Sequence, residues 1–303
     1  MGSQVALSVS KDGHFERPAS VFRDWLNPSG PFEPERDRYH LYVGLACPWA
    51  HRVLIMRALK GLEDILPFTV VHWRLGPQGW HFADEKGAQA DPLMNAQYLS
   101  EVYQKAEPGY QGKVTVPVLW DKKRQTIVNN ESSELIRMLG QAFDDLGAKA
   151  GDYYPEALRA DIDAVNERIY ETLNNGVYRA GFATTQAAYE EAFTALFATM
   201  DWLEARLAVG GPYLMGEALT EADIRLFTTL VRFDAVYHGH FKCNQRQLQD
   251  YPALWAYTRR LYALPAFAQD VNFFHIKHHY YESHLKINPT GVVPLGPDLD
   301  WSI

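Results

Sequence analysis

The chain has 303 residues and a formal net charge of −8, with 47% hydrophobic and 22% charged residues. That length allows two ordinary domains, and the balance is that of a soluble globular protein. An acidic chain without a basic block is not expected to bind nucleic acid, and no apolar stretch reaches the roughly 20 residues of a membrane span.

Met1-Gly2-Ser3-Gln4-Val5-Ala6 lacks a basic start followed by an apolar core, and position 6 is not Ser or Thr. Neither a secretory leader nor a myristoylation signal is expected. The two cysteines, Cys47 and Cys243, suit a reducing compartment, which gives a cytoplasmic reading. Residues 1–37 form an arm rich in Pro, Gly and charge, with little regular structure expected. From Arg38 the pattern becomes regular. The run 38–43 predicts a strand and 48–60 a helix ending near Gly61. Phe68-Thr69-Val70-Val71-His72-Trp73 predicts a second strand, parallel to the first across that helix. A long excursion over 75–113 holds Trp80-His81-Phe82 and a predicted helix near 92–104. Residues 114–120 and 125–128 predict two strands of a hairpin turning at Asp121-Lys122-Lys123-Arg124, followed by a helix over 131–140. The order βαβ then ββα predicts a thioredoxin-like α/β domain over 38–145.

The rest reads as an all-helical domain over 150–285. Asp152-Tyr153-Tyr154-Pro155 opens a helix of about 18 residues by ordinary start signals, and Asn174-Asn175-Gly176 is expected to break it. Tyr189, Ala192, Phe193, Leu196, Met200, Leu203 and Leu207 recur at steps of three and four. They form one buried face of a long helix, stopped by Gly210-Gly211-Pro212. Thr220-Glu221-Ala222-Asp223 reads as a capping box with Asp in the Glu position. Another helix covers about 252–263. The Pro/Gly-rich tail 286–303 is expected to wrap the surface.

Cys47-Pro48-Trp49-Ala50 carries the strongest chemical signal. Strand, loop, Cys-Pro and helix put one thiol at a helix cap, because Pro suits the first helical position. The positive helix end then faces the sulfur, and the thiolate is the nucleophilic form. Ala50 stands where a redox pair would need its second cysteine, so any disulfide formed by Cys47 must be resolved by an external thiol. In this layout Val116-Pro117 predicts a cis-proline facing Cys47, with the backbone of Val116 open to pair with a ligand. Glu131-Ser132 has two readings: a plain helix cap, or a helix end that binds a carboxylate while Glu131 pairs with an ammonium. Trp80, in a loop, either plugs a core or covers a ligand. Tyr178 follows the expected helix break, which would aim it into a cleft, where its hydroxyl could stabilise a thiolate by hydrogen bonding or deliver a proton to a carbon. His275, His278, His279 and His284 cluster in sequence, but no acidic ligand is placed with them, so no metal is assigned. Cys243 has no activating context.

Together these motifs resemble a cytosolic glutathione transferase, and within it the xi class, the glutathionyl-hydroquinone reductases. The resemblance is carried by Arg38-Tyr39-His40-Leu41-Tyr42-Val43, Cys47-Pro48-Trp49-Ala50-His51-Arg52, Leu59-Lys60-Gly61-Leu62 and residues 115–121. Residues 129–134, 174–178 and Ile287-Asn288-Pro289-Thr290-Gly291 add to it, so it spans nearly the whole chain. It implies glutathione as co-substrate and reduction of glutathionyl-hydroquinones through a Cys47–glutathione mixed disulfide, resolved by a second glutathione. Glutathione would lie against Trp80 and along Val114, Thr115, Val116 and Pro117. Its γ-glutamyl end would meet Glu131 and Ser132. Tyr178 would protonate the leaving carbon, and Tyr237 and Tyr280 would hydrogen-bond the thiolate, with Tyr281 adjoining Tyr280. Gly44 stands where a serine is more familiar. A homodimer built from the helical domains is implied as well. Another class of cysteine-type transferase, reducing dehydroascorbate or removing glutathione from thiols, uses the same Cys47 chemistry and stays open, as does a non-enzymatic binding role.

Overall fold

The computed structural model describes residues 8–303, so the reading of residues 1–6 lies outside the described residues. The described chain forms two compact units. The first comprises Ala19–Asp152 with Asp270–His279, and the second residues 8–18 with Tyr153–Gln269 and Tyr280–Ile303. The arm is therefore more regular than expected: β1 (Ser8–Val9) and β2 (Phe15–Glu16) form an antiparallel pair in the second unit.

The first unit is built on β3 (Tyr39–Val43), α1 (Pro48–Leu59), β4 (Phe68–Val70), α2 (Leu99–Ala106), β5 (Val118–Asp121), β6 (Thr126–Asn129) and α3 (Ser132–Leu139). The sheet order is β4-β3-β5-β6. β3 runs parallel to β4, with Tyr42 opposite Thr69, and antiparallel to β5, with Leu41 opposite Leu119. β5 and β6 pair antiparallel, with a register shift at Leu119/Trp120. All five residues of β3 are buried, as a central strand covered on both faces requires. α1 and α3 pack together, and α2 lies against β6.

Three expectations shift here. The run to Trp73 leaves the ladder after Val70, because the His72 N–H turns to the His81 carbonyl. The helix expected near 92–104 starts only at Leu99. Asp91 takes the N–H groups of Leu93, Met94 and Ala96 into a tight turn instead, with Asn95 at φ 54°. The strand expected from Val114 starts at Val118, since the Thr115 N–H goes to the Tyr103 hydroxyl and Pro117 has none to give.

The second unit continues through α4 (Arg159–Ile169), α5 (Gly176–Gly181), α6 (Gln186–Val209), α7 (Glu221–Arg232), α8 (His238–His240), α9 (Pro252–Tyr262) and α10 (Pro265–Ala268). The last helix of the chain is α11 (Phe273–Ser283). Asn174-Asn175-Gly176 does not break the helix. A π-helical turn, Tyr170–Asn174, joins α4 to α5, with the Asn175 N–H on the Tyr170 carbonyl at 2.9 Å. The Asn174 side-chain amide donates to the Arg225 carbonyl at 3.1 Å and to Thr229 Oγ1 at 2.7 Å, both on α7, which anchors the π turn to that helix. A second π turn, Phe233–Tyr237, follows α7. The capping box forms as read, with Asp223 accepting from the Thr220 N–H at 2.8 Å and also from the Leu214 N–H and the Tyr257 hydroxyl. Residues 286–303 carry no helix or strand. No helix among the described residues is long and apolar enough to cross a membrane.

Candidate functional site

Cys47 is the N-cap of α1. Its backbone is extended at φ −76° and ψ 120°, Pro48 follows as the first helical residue, and no acidic residue lies in the first turn. The Cys47 N–H donates to the Gly44 carbonyl at 3.0 Å, closing the loop, and its carbonyl accepts from His51 at 3.1 Å, starting the helix. The half-buried thiol stands 3.5 Å from the Val116 carbonyl oxygen. Negative charge at such a helix end is stabilised by the unpaired N–H groups of the first turn and the dipole.

The Val116–Pro117 bond is cis, as the layout predicts. The segment leading to it is fixed by Tyr103, whose side chain is wholly buried. The Tyr103 hydroxyl donates to the Thr115 carbonyl at 2.8 Å and accepts from the Thr115 N–H at 3.2 Å and from Asn130 Nδ2 at 3.0 Å. One phenol thus ties the stretch before Val116 to the residue before Glu131. Val114 and Thr115 are half-buried, whereas Val116 and Pro117 are buried.

Glu131 is the N-cap of α3. Its Oε1 accepts from the Ser133 N–H at 3.1 Å, and its Oε2 accepts from the Ser20 hydroxyl at 2.9 Å. The capping reading is thus realised, and Ser20 of the arm adds to it. Ser132 opens the helix and is buried. Trp80 is 7% exposed, and its ring stacks on His279 with centroids 5.0 Å apart and planes at 13°. The His279 Nδ1–H donates to the Trp73 carbonyl at 2.6 Å, which fixes the imidazole that Trp80 rests on. A Cβ at Gly44 would meet the Val71 and Val116 methyls at 3.4 Å and Trp80 at 3.6 Å, so a small side chain fits there.

The tyrosines of the second unit gather into one cluster. The Tyr178 and Tyr280 hydroxyls are 2.5 Å apart, and those of Tyr237 and Tyr280 are 3.0 Å apart. Burial pushes Tyr237 and Tyr280 well above the ordinary phenol range, so both keep their protons. The Tyr281 ring lies 4.7 Å from that of His240. Arg17 of the arm lies over the Tyr178 ring. Cys243 is fully buried, and desolvation pushes its thiol up, away from reactivity. The histidines of α11, and His284 just after it, are taken up in packing. His275 Nε2 donates to the Lys86 carbonyl at 2.8 Å, the His278 ring lies 4.0 Å from Phe274, and His284 Nδ1 is 3.2 Å from His240 Nε2. Among the described residues no group of three or more His, Cys, Asp or Glu side chains is arranged to hold a metal ion.

Sequence reasoning missed Tyr103, Arg17 and Ser20. The only signal for Tyr103 was its place on the buried face of α2 with Leu99 and Val102. Nothing in the spacing ties Arg17 to Tyr178.

A thiol-capped helix beside a cis-proline in one unit, with a second, mainly helical unit, defines the class of cytosolic glutathione transferases. Family models agree: "Glutathione S-transferase, N-terminal domain" matches residues 46–142, and "Glutathione S-transferase, C-terminal domain" matches 186–260. The glutathionyl-hydroquinone reductase PcpF of Sphingobium chlorophenolicum is 56% identical over 95% of this chain and 91% of that protein. The glutathionyl-hydroquinone reductase YqjG of Escherichia coli is 54% identical over 96% of this chain and 92% of its own. Its glutathione-bound structure superimposes with a TM-score of 0.91, over 93% of this chain and 94% of that one, at 53% identity. The xi glutathione transferase of Phanerochaete chrysosporium gives a TM-score of 0.95 at 53% identity, over 99% of this chain and 98% of that one. The chain belongs to the xi class of glutathione transferases, the glutathionyl-hydroquinone reductase family.

Proposed function

We propose that this protein reduces glutathionyl-hydroquinones to hydroquinones at the expense of glutathione. The observation that carries the reading is Cys47 capping α1, 3.5 Å from the Val116 carbonyl beside a cis-proline. Ala50 leaves no internal partner for a disulfide at that end. In the first step the Cys47 thiolate attacks the substrate sulfur. A Cys47–glutathione disulfide forms, the sulfur–carbon bond breaks, and its electron pair passes to the ring carbon. That carbon takes a proton from Tyr178, which solvent later restores. In the second step the thiolate of another glutathione attacks the mixed disulfide, releasing oxidised glutathione and the Cys47 thiolate. The ring carbon gains two electrons, one from the thioether sulfur of the conjugate and one from the thiol sulfur of the second glutathione, and these two sulfurs leave joined in oxidised glutathione, so the exchange balances.

Glutathione lies along Trp80, Val114, Thr115, Val116 and Pro117 in this reading. Its cysteinyl backbone pairs with Val116, and its γ-glutamyl end meets Ser132 and Glu131. The first turn of α3 supports a carboxylate there, and the capped Glu131 carboxylate supports an ammonium. Tyr237 and Tyr280 keep their protons and so can donate hydrogen bonds to an anionic sulfur. No metal takes part. The helical domain over 150–285 carries the hydroquinone site and the contact of a homodimer, and the protein works in the cytosol, a location suited to its two thiols.

The test is incubation with glutathionyl-menadiol and excess glutathione, with chromatography of the products and intact mass of the protein. Menadiol plus oxidised glutathione is the expected result. A glutathione adduct on Cys47 from a disulfide donor, without turnover of the menadiol conjugate, would replace this reading by that of a thiol transferase of another class.

A further inference from the structure

We propose that Arg17, on the N-terminal arm, is a positioning residue for the proton donor. It fixes the Tyr178 ring and stabilises the negative charge left on it when the proton departs. The inference rests on the proposed role of Tyr178 and extends it to a segment of chain that otherwise has no part in the chemistry.

The guanidinium carbon of Arg17 lies 4.8 Å from the centroid of the Tyr178 ring and 5.3 Å from that of Phe15. Its position is set by a hydrogen bond, Nε donating to Asn175 Oδ1 at 2.8 Å. Asn175 sits at the junction of the π turn and α5, so one contact links Arg17 to the turn that orients Tyr178. The arm itself is held in place. The Thr184 N–H donates to the Gly13 carbonyl at 3.0 Å, and Thr185 Oγ1 donates to the Asp12 carbonyl at 2.8 Å. Gly13 has φ +89°, and a Cβ there would come within 2.6 Å of Thr185, so the close seat of the arm on the start of α6 needs a glycine. Phe15 stacks near Tyr178 at 6.4 Å and packs on Phe182 at 5.4 Å.

The surroundings of Tyr178 explain why a cation is useful. Its hydroxyl faces that of Tyr280, from α11, which in turn meets that of Tyr237, from the second π turn. Both partners are desolvated phenols that resist ionisation. Arg232 of α7 acts on those two, while Arg17 covers the ring face of Tyr178 itself. A guanidinium over an aromatic face is attracted to the ring, and more strongly once the ring carries charge.

The test compares Arg17→Met and Arg17→Lys with the unmodified protein in single turnover. Cleavage of glutathionyl-menadiol is followed separately from the resolution of a preformed Cys47–glutathione disulfide by glutathione. Arg17→Met should slow cleavage roughly tenfold, the scale of a desolvated cation–π contact, and leave resolution unchanged. Arg17→Lys should recover part of the loss. The basic limb of the cleavage rate should move to higher pH in Arg17→Met, because Tyr178 would hold its proton more tightly. In a Tyr178→Phe background, Arg17→Met should add nothing. Equal slowing of both steps, an unmoved pH limb, or full additivity with Tyr178→Phe would overturn the proposal. Absence of cleavage by the unmodified protein would instead overturn the reductase reading on which it stands.

Discussion

Cys47 and Cys243 are both thiols, and their surroundings separate them. Cys243 is fully buried, with its thiol pushed up by desolvation, while Cys47 caps a helix and is half-buried. That difference was legible in sequence, because Pro after Cys at the end of a strand–loop run has few other uses. The tyrosines were legible as residue types but not as a network. The 2.5 Å contact between Tyr178 and Tyr280 links positions 102 apart in the chain, and no local pattern encodes it. The same holds for Tyr103, whose hydroxyl serves two segments brought together only by folding. Tyr178→Phe should slow sulfur–carbon cleavage by about 10²-fold, the usual size of a lost general acid. Resolution of the mixed disulfide should keep its rate. Stopped-flow measurement of the two half-reactions checks this, and equal slowing of both would remove Tyr178 from the proton transfer.

Helices and strands followed their local signals except where a contact formed only on folding redirected the backbone. The Asp91 turn delays α2, and the two π turns, Tyr170–Asn174 and Phe233–Tyr237, carry the chain into Tyr178 and through Tyr237. Such turns are common near functional sites. Their signal is tertiary, with Asn174 finding its partners on α7, so the sequence could only suggest a break. The capping box was readable because its partners are local. Asp223→Ala removes the acceptor of the Thr220 and Leu214 N–H groups and of the buried Tyr257 hydroxyl. The expected cost is about 3 kcal/mol, from a lost cap plus buried donors left unpaired. Urea unfolding measures it, and a loss below roughly 1 kcal/mol would show that the box is dispensable. In α5, a Cβ at Gly181 would come within 2.2 Å of the Phe241 ring. Gly181→Ala should therefore destabilise by about 1–3 kcal/mol despite the better helix propensity of Ala. A stabilised variant in the same urea assay would contradict that packing.

Across the whole molecule, stability should depend on pH in a direction set by buried groups. His40, buried in β3, is pushed down to about 4, first by desolvation and then by Lys122, against an opposing effect of Asp91. The native state therefore resists protonation that the unfolded chain accepts near pH 6.5. This contribution is full above the unfolded value and is lost progressively as pH falls from there towards the folded value. At pH 5 the loss from His40 alone should be about 2 kcal/mol relative to pH 7. Urea midpoints across that range should fall accordingly, and His40→Gln should flatten the fall. An unchanged slope in His40→Gln would assign the pH dependence to other groups.

In the proposed mechanism Cys47 carries glutathione between the two half-reactions. The most direct measurement is intact mass after one equivalent of glutathionyl-menadiol is mixed with the protein in the absence of added glutathione. A single glutathione adduct is expected, mapping to Cys47, forming together with one equivalent of menadiol and disappearing when glutathione is added. Cys47→Ser should fold normally, since Ser is a good N-cap, and should show neither adduct nor menadiol. Release of menadiol by Cys47→Ser, or by the unmodified protein without an adduct on Cys47, would contradict this mechanism.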